Sequence, residues 1–406
     1  MEKTQHNEWR TAAVWGLKIA LAHRIILLVW MAIIWVAIGQ AQHIPIELQV
    51  DPIAKLPDLS ASEQATLGVW RRWDASHYLN LAQNGYRGGD PGPTVFGVLT
   101  PIGIHVFDAA LPGGVDIAGM AFATVAFWLA LVLLYRVCEV YYGDSHLGRW
   151  ATVMLALSPL SFFFSAPMSE AIYLAMVLGI FYAGARDKWG WAAVCGVLAT
   201  LARSQGILLA GIGGIMLWEQ SSGSLRQRGI DTIKKGWPLA VIPLALVAFL
   251  AFRQSQGLPA LDEIYRTRSF IFFVNPIEGL RLNIAWAFSH PGDAIFNPDL
   301  WALVISVGLA IWMLFSPRHR RIALVAYTFG SILIFVSKVN WVWGDTSQVT
   351  YTQSFARYSL ALFPLTVVAA DKLRTAPRPV RAIVIGTSVL GLLIFSALFT
   401  LGGGAP

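Results

Sequence analysis

The chain has 406 residues, of which 56% are apolar and 13% charged, with a formal net charge of +7. Soluble domains carry roughly 25% charged residues, so the composition excludes a disordered chain and argues against a water-soluble globular enzyme. The basic residues gather in short clusters of the kind that line membrane-protein loops. The bilayer is therefore the expected partner, and no nucleic-acid partner is inferred.

Eleven apolar segments follow in order, at about 22–40, 115–137, 148–166, 169–185, 189–203, 205–218, 237–253, 299–316, 321–338, 355–371 and 379–401. They define an all-α polytopic membrane protein, a single integral domain over 1–406 with about 11 transmembrane helices. The first run follows about 24 polar and mixed residues, longer than a leader peptide usually allows, and is expected to be a retained helix. Segments 189–203 and 205–218 are short and suit broken or re-entrant pieces. Gly211–Gly214 lies inside a segment and reads as a packing surface rather than a phosphate loop. Cys138 and Cys195 show no metal or disulfide spacing and read as small apolar side chains.

Alternating the segments from a cytoplasmic N-terminus places Arg318/Arg320/Arg321 and Lys372/Arg374/Arg378/Arg381 inside, as the positive-inside rule requires, with the C-terminus outside. The two long connections, 41–114 and 254–298, then fall outside, with a shorter Trp-rich loop at 339–354. Elaborate connections are where function concentrates.

Residues 70–86 of the first outer loop read WRRWDASHYLNLAQNGY. Helical spacing would place Trp70, Trp73, Asp74, His77, Tyr78 and Leu81 on one face, with Gly85 as the stop. Such a helix suits the membrane interface. A carboxylate on an aromatic face is partly desolvated, which would raise its pKa, and His77 and Tyr78 are placed to hydrogen-bond to it. Asp74 thus reads either as a catalytic base or as an Arg-paired surface carboxylate; the tryptophans read as a substrate platform or as interfacial anchors. The apolar stretch 95–107, VFGVLTPIGIHVF, is too short to span and is expected to lie re-entrant against this helix. Glu170, Arg203 and Arg357 each border an apolar run on the same outer side. They suit an ion pair with a second Arg left to hold an anion, or simple snorkelling at the interface. His77, His105 and His290 are scattered and no DxD or HxxxH occurs in the outer loops, so no metal site is read, with a divalent ion on Asp74 left as the alternative.

Four stretches, in order, are similar to a known family: RWDASHYLNLAQNGY, SPLSFFFSAPMSEAIY, VLATLARSQG and ARYSLALFP. Together, over about residues 70–365, they resemble the GPI mannosyltransferase II (PIG-V) family and its prokaryotic relatives. One stretch departs: the family's aromatic-Pro run after the WD motif stands here as VFGVLTPIG. The resemblance implies a GT-C-class membrane glycosyltransferase. It would use a polyprenyl-phosphate-linked sugar, with mannose as the implied hexose, and no other cofactor. The acceptor would be a lipid, polymer or protein hydroxyl on the outer face of a prokaryotic plasma membrane. It also implies that loop 41–114 carries the general base, a role that falls on Asp74. Arg203 and Arg357, with Arg72 behind them, would meet the leaving phosphate, Glu170 would orient an Arg or bind sugar hydroxyls, and Trp73, His77 and Tyr78 would line the substrate. A transporter or flippase of lipid-linked sugar is the alternative. Against it, the chain shows no repeat and no paired broken helices. A non-catalytic assembly subunit is the third class.

Overall fold

In the computed structural model the described residues are 2–44, 50–51, 53–87, 90–268, 271–342 and 345–402, side chains excepted at 2–6 and 341–350. Trp343, part of the Trp-rich stretch 339–354, lies outside them. The chain is overwhelmingly helical. α1 (Glu2–Ile34) continues as a π turn over Trp35–Gly39, and the first loop then carries α2 (Ala61–Thr66), α3 (Asp74–Asn84) and α4 (Leu99–Ala110). The bundle proceeds through α5 (Gly114–Tyr142), α6 (Ser145–Ala156), α7 (Glu170–Ala185), α8 (Trp189–Ala202), α9 (Leu208–Gln220), α10 (Leu225–Gly236) and α11 (Val241–Ser255). The second long loop holds α12 (Leu261–Arg268), β1 (Ile271–Phe273), α13 (Pro276–Ser289) and α14 (Pro291–Phe296). α15 (Pro298–Phe315), α16 (Ile322–Val336), β2 (Lys338–Val342), β3 (Asp345–Thr352), α17 (Phe355–Ser359), α18 (Phe363–Thr375) and α19 (Arg378–Thr400) complete it.

Every apolar segment of the sequence falls on helix, but two are interrupted. The segment 148–166 stops at Ala156 and resumes as a 3₁₀ turn over Ser161–Phe164. Pro159 lies in the gap; its ring and missing N–H forbid a helical turn there. The segment 355–371 divides into α17 and α18, with Pro364 in the first turn of α18. By length and composition five stretches cross a membrane unaided: Asn7–Gly39, Gly114–Tyr142, Leu225–Ser255, Pro298–Phe315 and Arg378–Thr400. Glu170–Ala185, Trp189–Ala202 and Ile322–Val336 are shorter apolar helices. The protein is an integral membrane protein, and its outer surface agrees: Ile25, Ile26, Val29 and Ile33 of α1 are all exposed, which only lipid tolerates over so long a stripe.

The interior is aromatic. Phe162, Phe163 and Phe164 are fully buried, with Phe164 stacked on Phe127 at 4.8 Å and Phe162 against Phe399 at 5.2 Å. Several polar groups within the bundle find local partners, as a low dielectric demands. His23 sits between Ser165 at 3.0 Å and Ser161 at 3.1 Å, and Arg24 donates to Thr124 at 2.8 Å and the Met120 carbonyl at 2.9 Å. One end of the bundle is clamped by charges: Asp144 accepts from Arg318 at 2.9 Å and Arg374 at 2.7 Å, and Asp371 from Arg374 at 2.8 Å. The opposite end carries the two long loops. There β1, β2 and β3 form an antiparallel sheet in that order, pairing Phe273 with Lys338 and Val339 with Thr352. α3 and α4 pack together beside it, joined by His105 Nδ1 and the Ala82 carbonyl at 3.1 Å, while Ile102 and Val106 stay exposed.

Candidate active site

α3 starts at Asp74, later than the periodicity of 70–86 suggested. Residues 68–70 form a separate 3₁₀ turn, and Trp73 takes φ +57° and ψ −136°, a backbone conformation costly for a bulky residue. The break has visible causes. Arg71 is pulled aside by Asp116, which it grips with two bonds of 2.7 and 2.6 Å. Arg72 is pulled the other way: its Nε and Nη2 donate to the Thr400 carbonyl at 3.1 and 3.0 Å, with the guanidinium over the Trp35 ring. The strained Trp73 that follows them leaves Asp74 in the first turn of α3, where the helix dipole favours a carboxylate. Gly85 ends the helix at φ +72°, in its expected role.

Asp74 faces a cavity of about 250 Å³. Arg203, Arg357 and Lys338 share its wall, with Trp73, Tyr78, Phe96, Tyr265 and Tyr358 as the aromatic lining. Arg357 donates through Nη1 to Asp74 Oδ2 at 2.5 Å and through Nε to Glu170 Oε1. Arg203 donates through Nη2 to the same Glu170 oxygen and through Nε to Ser169 Oγ at 2.8 Å. Tyr78 donates to that hydroxyl at 2.9 Å. Helix ends put these groups together: Glu170 opens α7 and Arg203 immediately follows α8. Arg357 also lies over the Phe163 ring at 5.0 Å, and Arg203 over the Tyr358 ring at 5.0 Å, so both guanidiniums rest on aromatic faces.

Several expectations change. Burial does push the Asp74 carboxyl up, but the Arg357 guanidinium foremost, with His77 and Lys338, more than offsets it and holds the group below the ordinary carboxylate value. His77 and Tyr78 do not bond to Asp74. His77 Nε2 meets Asp51 at 3.3 Å and its ring stacks on Phe96 at 5.8 Å. Glu170 holds both arginines, so neither is left over, and its Oε2 is buried without a partner. Arg72 lies outside the cavity, consumed in closing the end of α19. Trp70 is buried against Arg24 rather than sharing a face with Asp74. Trp73, Asp74, Tyr78, Arg203 and Arg357 do converge on the cavity, with Glu170 behind the arginines.

Sequence reasoning missed Lys338, Ser169, Phe96 and Tyr265. Lys338 carried the same signal as Arg203, a cation ending an apolar run. Among the described residues, no three His, Cys, Asp or Glu side chains come together as a metal site.

The fold and this site define an integral membrane protein with a carboxylate–arginine centre in an aromatic cavity at one end of a helical bundle. The chain belongs to the mannosyltransferase (PIG-V) family, whose model matches residues 17–228. That range includes Asp74, Glu170 and Arg203 but not Lys338 or Arg357. Over 145 residues the chain is 30% identical to GPI mannosyltransferase 2 of Cryptococcus neoformans var. neoformans serotype D, strain JEC21, and equally so to that of strain B-3501A. The match takes in 34% of this chain and 34% of each relative, so the chain spans about a third of the length of the curated relatives it matches. Among solved structures, an Archaeoglobus fulgidus oligosaccharyltransferase tethered to an acceptor peptide overlays with a TM-score of 0.45 at 9% identity. The same organism's enzyme with an inhibitory peptide and dolichol-phosphate gives 0.45 at 11%. Each comparison covers 97% of this chain and 56% of the other.

Proposed function

We propose that the protein is an inverting glycosyltransferase of GT-C type. It moves a hexose, mannose by family membership, from a polyprenyl-phosphate donor to an acceptor hydroxyl on the non-cytoplasmic face of the membrane. The observation that carries this reading is the half-buried Asp74 carboxylate on the wall of an aromatic, arginine-flanked cavity at the end of the bundle opposite the clustered basic loops.

The chemistry follows from the geometry. Asp74 Oδ2 is occupied by Arg357, whereas Oδ1 has no donor among the described residues and is free to accept the proton of an acceptor hydroxyl. As that oxygen bonds to the anomeric carbon, the carbon–oxygen bond to phosphate breaks and its electron pair leaves on the phosphate. One base suffices, since this leaving group needs positive charge rather than a proton, unlike a glycosidase aglycone. Protonating Asp74 weakens its hold on Arg357, and the guanidinium charge then becomes available to the departing phosphate. Trp73, Phe96 and Tyr78 offer faces for the sugar and the first lipid carbons.

The test follows label from polyprenyl-phosphate-mannose in membranes carrying wild type or Asp74→Asn, with native acceptors present. Transfer with wild type and a loss of roughly 10²- to 10⁴-fold in the variant is expected for a general base. Equal transfer by the two would overturn the role of Asp74. Intact donor crossing the bilayer without transfer would favour a transporter.

A further inference from the structure

Three cations line the cavity among the described residues, and two of them are already engaged. Arg203 and Arg357 share Glu170, and Arg357 also holds Asp74. Lys338 is different. No carboxylate lies within ion-pair distance of it among the described residues; its ammonium donates to the Tyr358 hydroxyl and lies 4.6 Å from that ring's centroid. An ammonium has three protons to donate, so two remain for a ligand. Its backbone is fixed on both sides, by pairing with Phe273 and by the Gln353 N–H donating to its carbonyl at 3.3 Å. Beside it Gln353, also on the cavity wall, buries an Oε1 that has no partner, an acceptor suited to a hydroxyl.

We propose that Lys338 binds the phosphate of the donor, and that the charge of the cavity is matched to a single phosphate. The proposal rests on the glycosyltransferase reading above. Arg203, Arg357 and Lys338 set against Asp74 and Glu170 leave one positive charge. A lipid–phosphate–sugar diester carries one negative charge, so the loaded site is neutral. When Asp74 takes the acceptor's proton, the site gains one positive charge. The leaving group becomes a phosphate monoester and gains one negative charge. The sum stays at zero on both sides of the reaction. A pyrophosphate-linked or nucleotide-linked donor would leave excess negative charge in a low-dielectric cavity, which is costly. Lysine suits this place because a compact ammonium on a flexible stem can follow the phosphate as it departs.

The experiment uses the full chain in lipid nanodiscs, with equilibrium binding of labelled polyprenyl phosphate and polyprenyl pyrophosphate as probes. Wild type is expected to bind the monophosphate more tightly. Lys338→Gln should weaken that binding by about tenfold or more, the effect of one charged hydrogen bond, and Lys338→Arg should retain most of it. A Lys338→Gln variant that binds as wild type does would overturn the lysine assignment and leave the transferase reading standing. Tighter binding of pyrophosphate by wild type would overturn the charge match without any substitution, so that arm survives a variant that fails to fold. Wild type that binds neither probe would overturn the donor reading itself.

Discussion

Arg357 donates to the Asp74 carboxylate at 2.5 Å although the two are 283 residues apart in sequence, so the basicity of a carboxylate in the first long loop is lowered from the far end of the chain. Burial alone would raise the Asp74 pKa above its ordinary 3.8, and Arg357, with His77 and Lys338, reverses the sign. A carboxyl held low contributes stability that is present above its unfolded pKa and lost as pH falls through the folded one. In wild type the acid limb due to Asp74 should therefore lie below pH 3.8. In Arg357→Gln the largest opposing charge is gone, with only His77 and Lys338 left against burial, and the limb should move upward. A pH–rate profile of kcat/KM checks this, and an unmoved limb would remove Arg357 as the controlling charge.

Glu170 is the anion that lets two guanidiniums coexist in the interior. Glu170→Gln keeps the shape but leaves Arg203 and Arg357 facing each other without it. Removing one partner of a buried ion pair costs about 3–5 kcal/mol, so thermal unfolding in nanodiscs should show a marked loss. A Tm equal to wild type would mean that the arginines find other partners.

Glu170, Arg203 and Arg357 also show how far the sequence could be read. Each bordered an apolar run, and that placement alone marked Glu170, Arg203 and Arg357 as a group. What it could not reveal was the sharing. Pairing one carboxylate with two arginines depends on where α7, α8 and α17 end in space, which hydropathy does not encode. The apolar segments were legible for the same reason, since the period of a spanning helix is written in composition, whereas the interruption at Pro159 was not separated from the run around it. The start of α3 was misplaced because an unbroken 3.6-residue pattern through Trp70 and Trp73 hid two tertiary anchors, Asp116 and Thr400, pulling Arg71 and Arg72 apart. The sign of the Asp74 shift failed with it, since burial was foreseeable from its neighbours and Arg357 was not. Lys338 went unread because the sheet that presents it is formed with a strand from a different loop.

Gly97 meets the end of α8 so closely that a Cβ there would fall 2.2 Å from the Leu201 carbonyl oxygen and 2.7 Å from that of Ala202. These are backbone atoms and cannot rotate away. Gly97→Ala should therefore displace the turn that carries Arg203, at a cost of about 1–3 kcal/mol for overpacking. Both Tm and donor KM should change, with Gly211→Ala, where a Cβ meets nothing, as the silent control. A silent Gly97→Ala would show that the α8 end yields freely.

Arg72 belongs to the scaffold rather than the cavity. Arg72→Ala should lower Tm by removing two bonds to the Thr400 carbonyl and the contact with Trp35, while polyprenyl phosphate binding by the fraction that remains folded is unchanged. A selective loss of binding at constant Tm would return Arg72 to the site.

The tie between Arg72 and Thr400 also bears on the order in which the protein is made. Synthesis runs from the N-terminus, and earlier segments begin to fold before later ones exist. When the Asp74 loop emerges, neither Arg357, which lowers the pKa of its carboxylate, nor the carbonyl that anchors its neighbour has been translated. The carboxylate must wait, without its arginine, until residue 357 has been made, and the Arg72 anchor waits until residue 400. The Asp74 cavity is thus among the final features of the molecule to mature, and a nascent chain released before residue 400 would hold the Asp74 loop without the carbonyl that anchors Arg72.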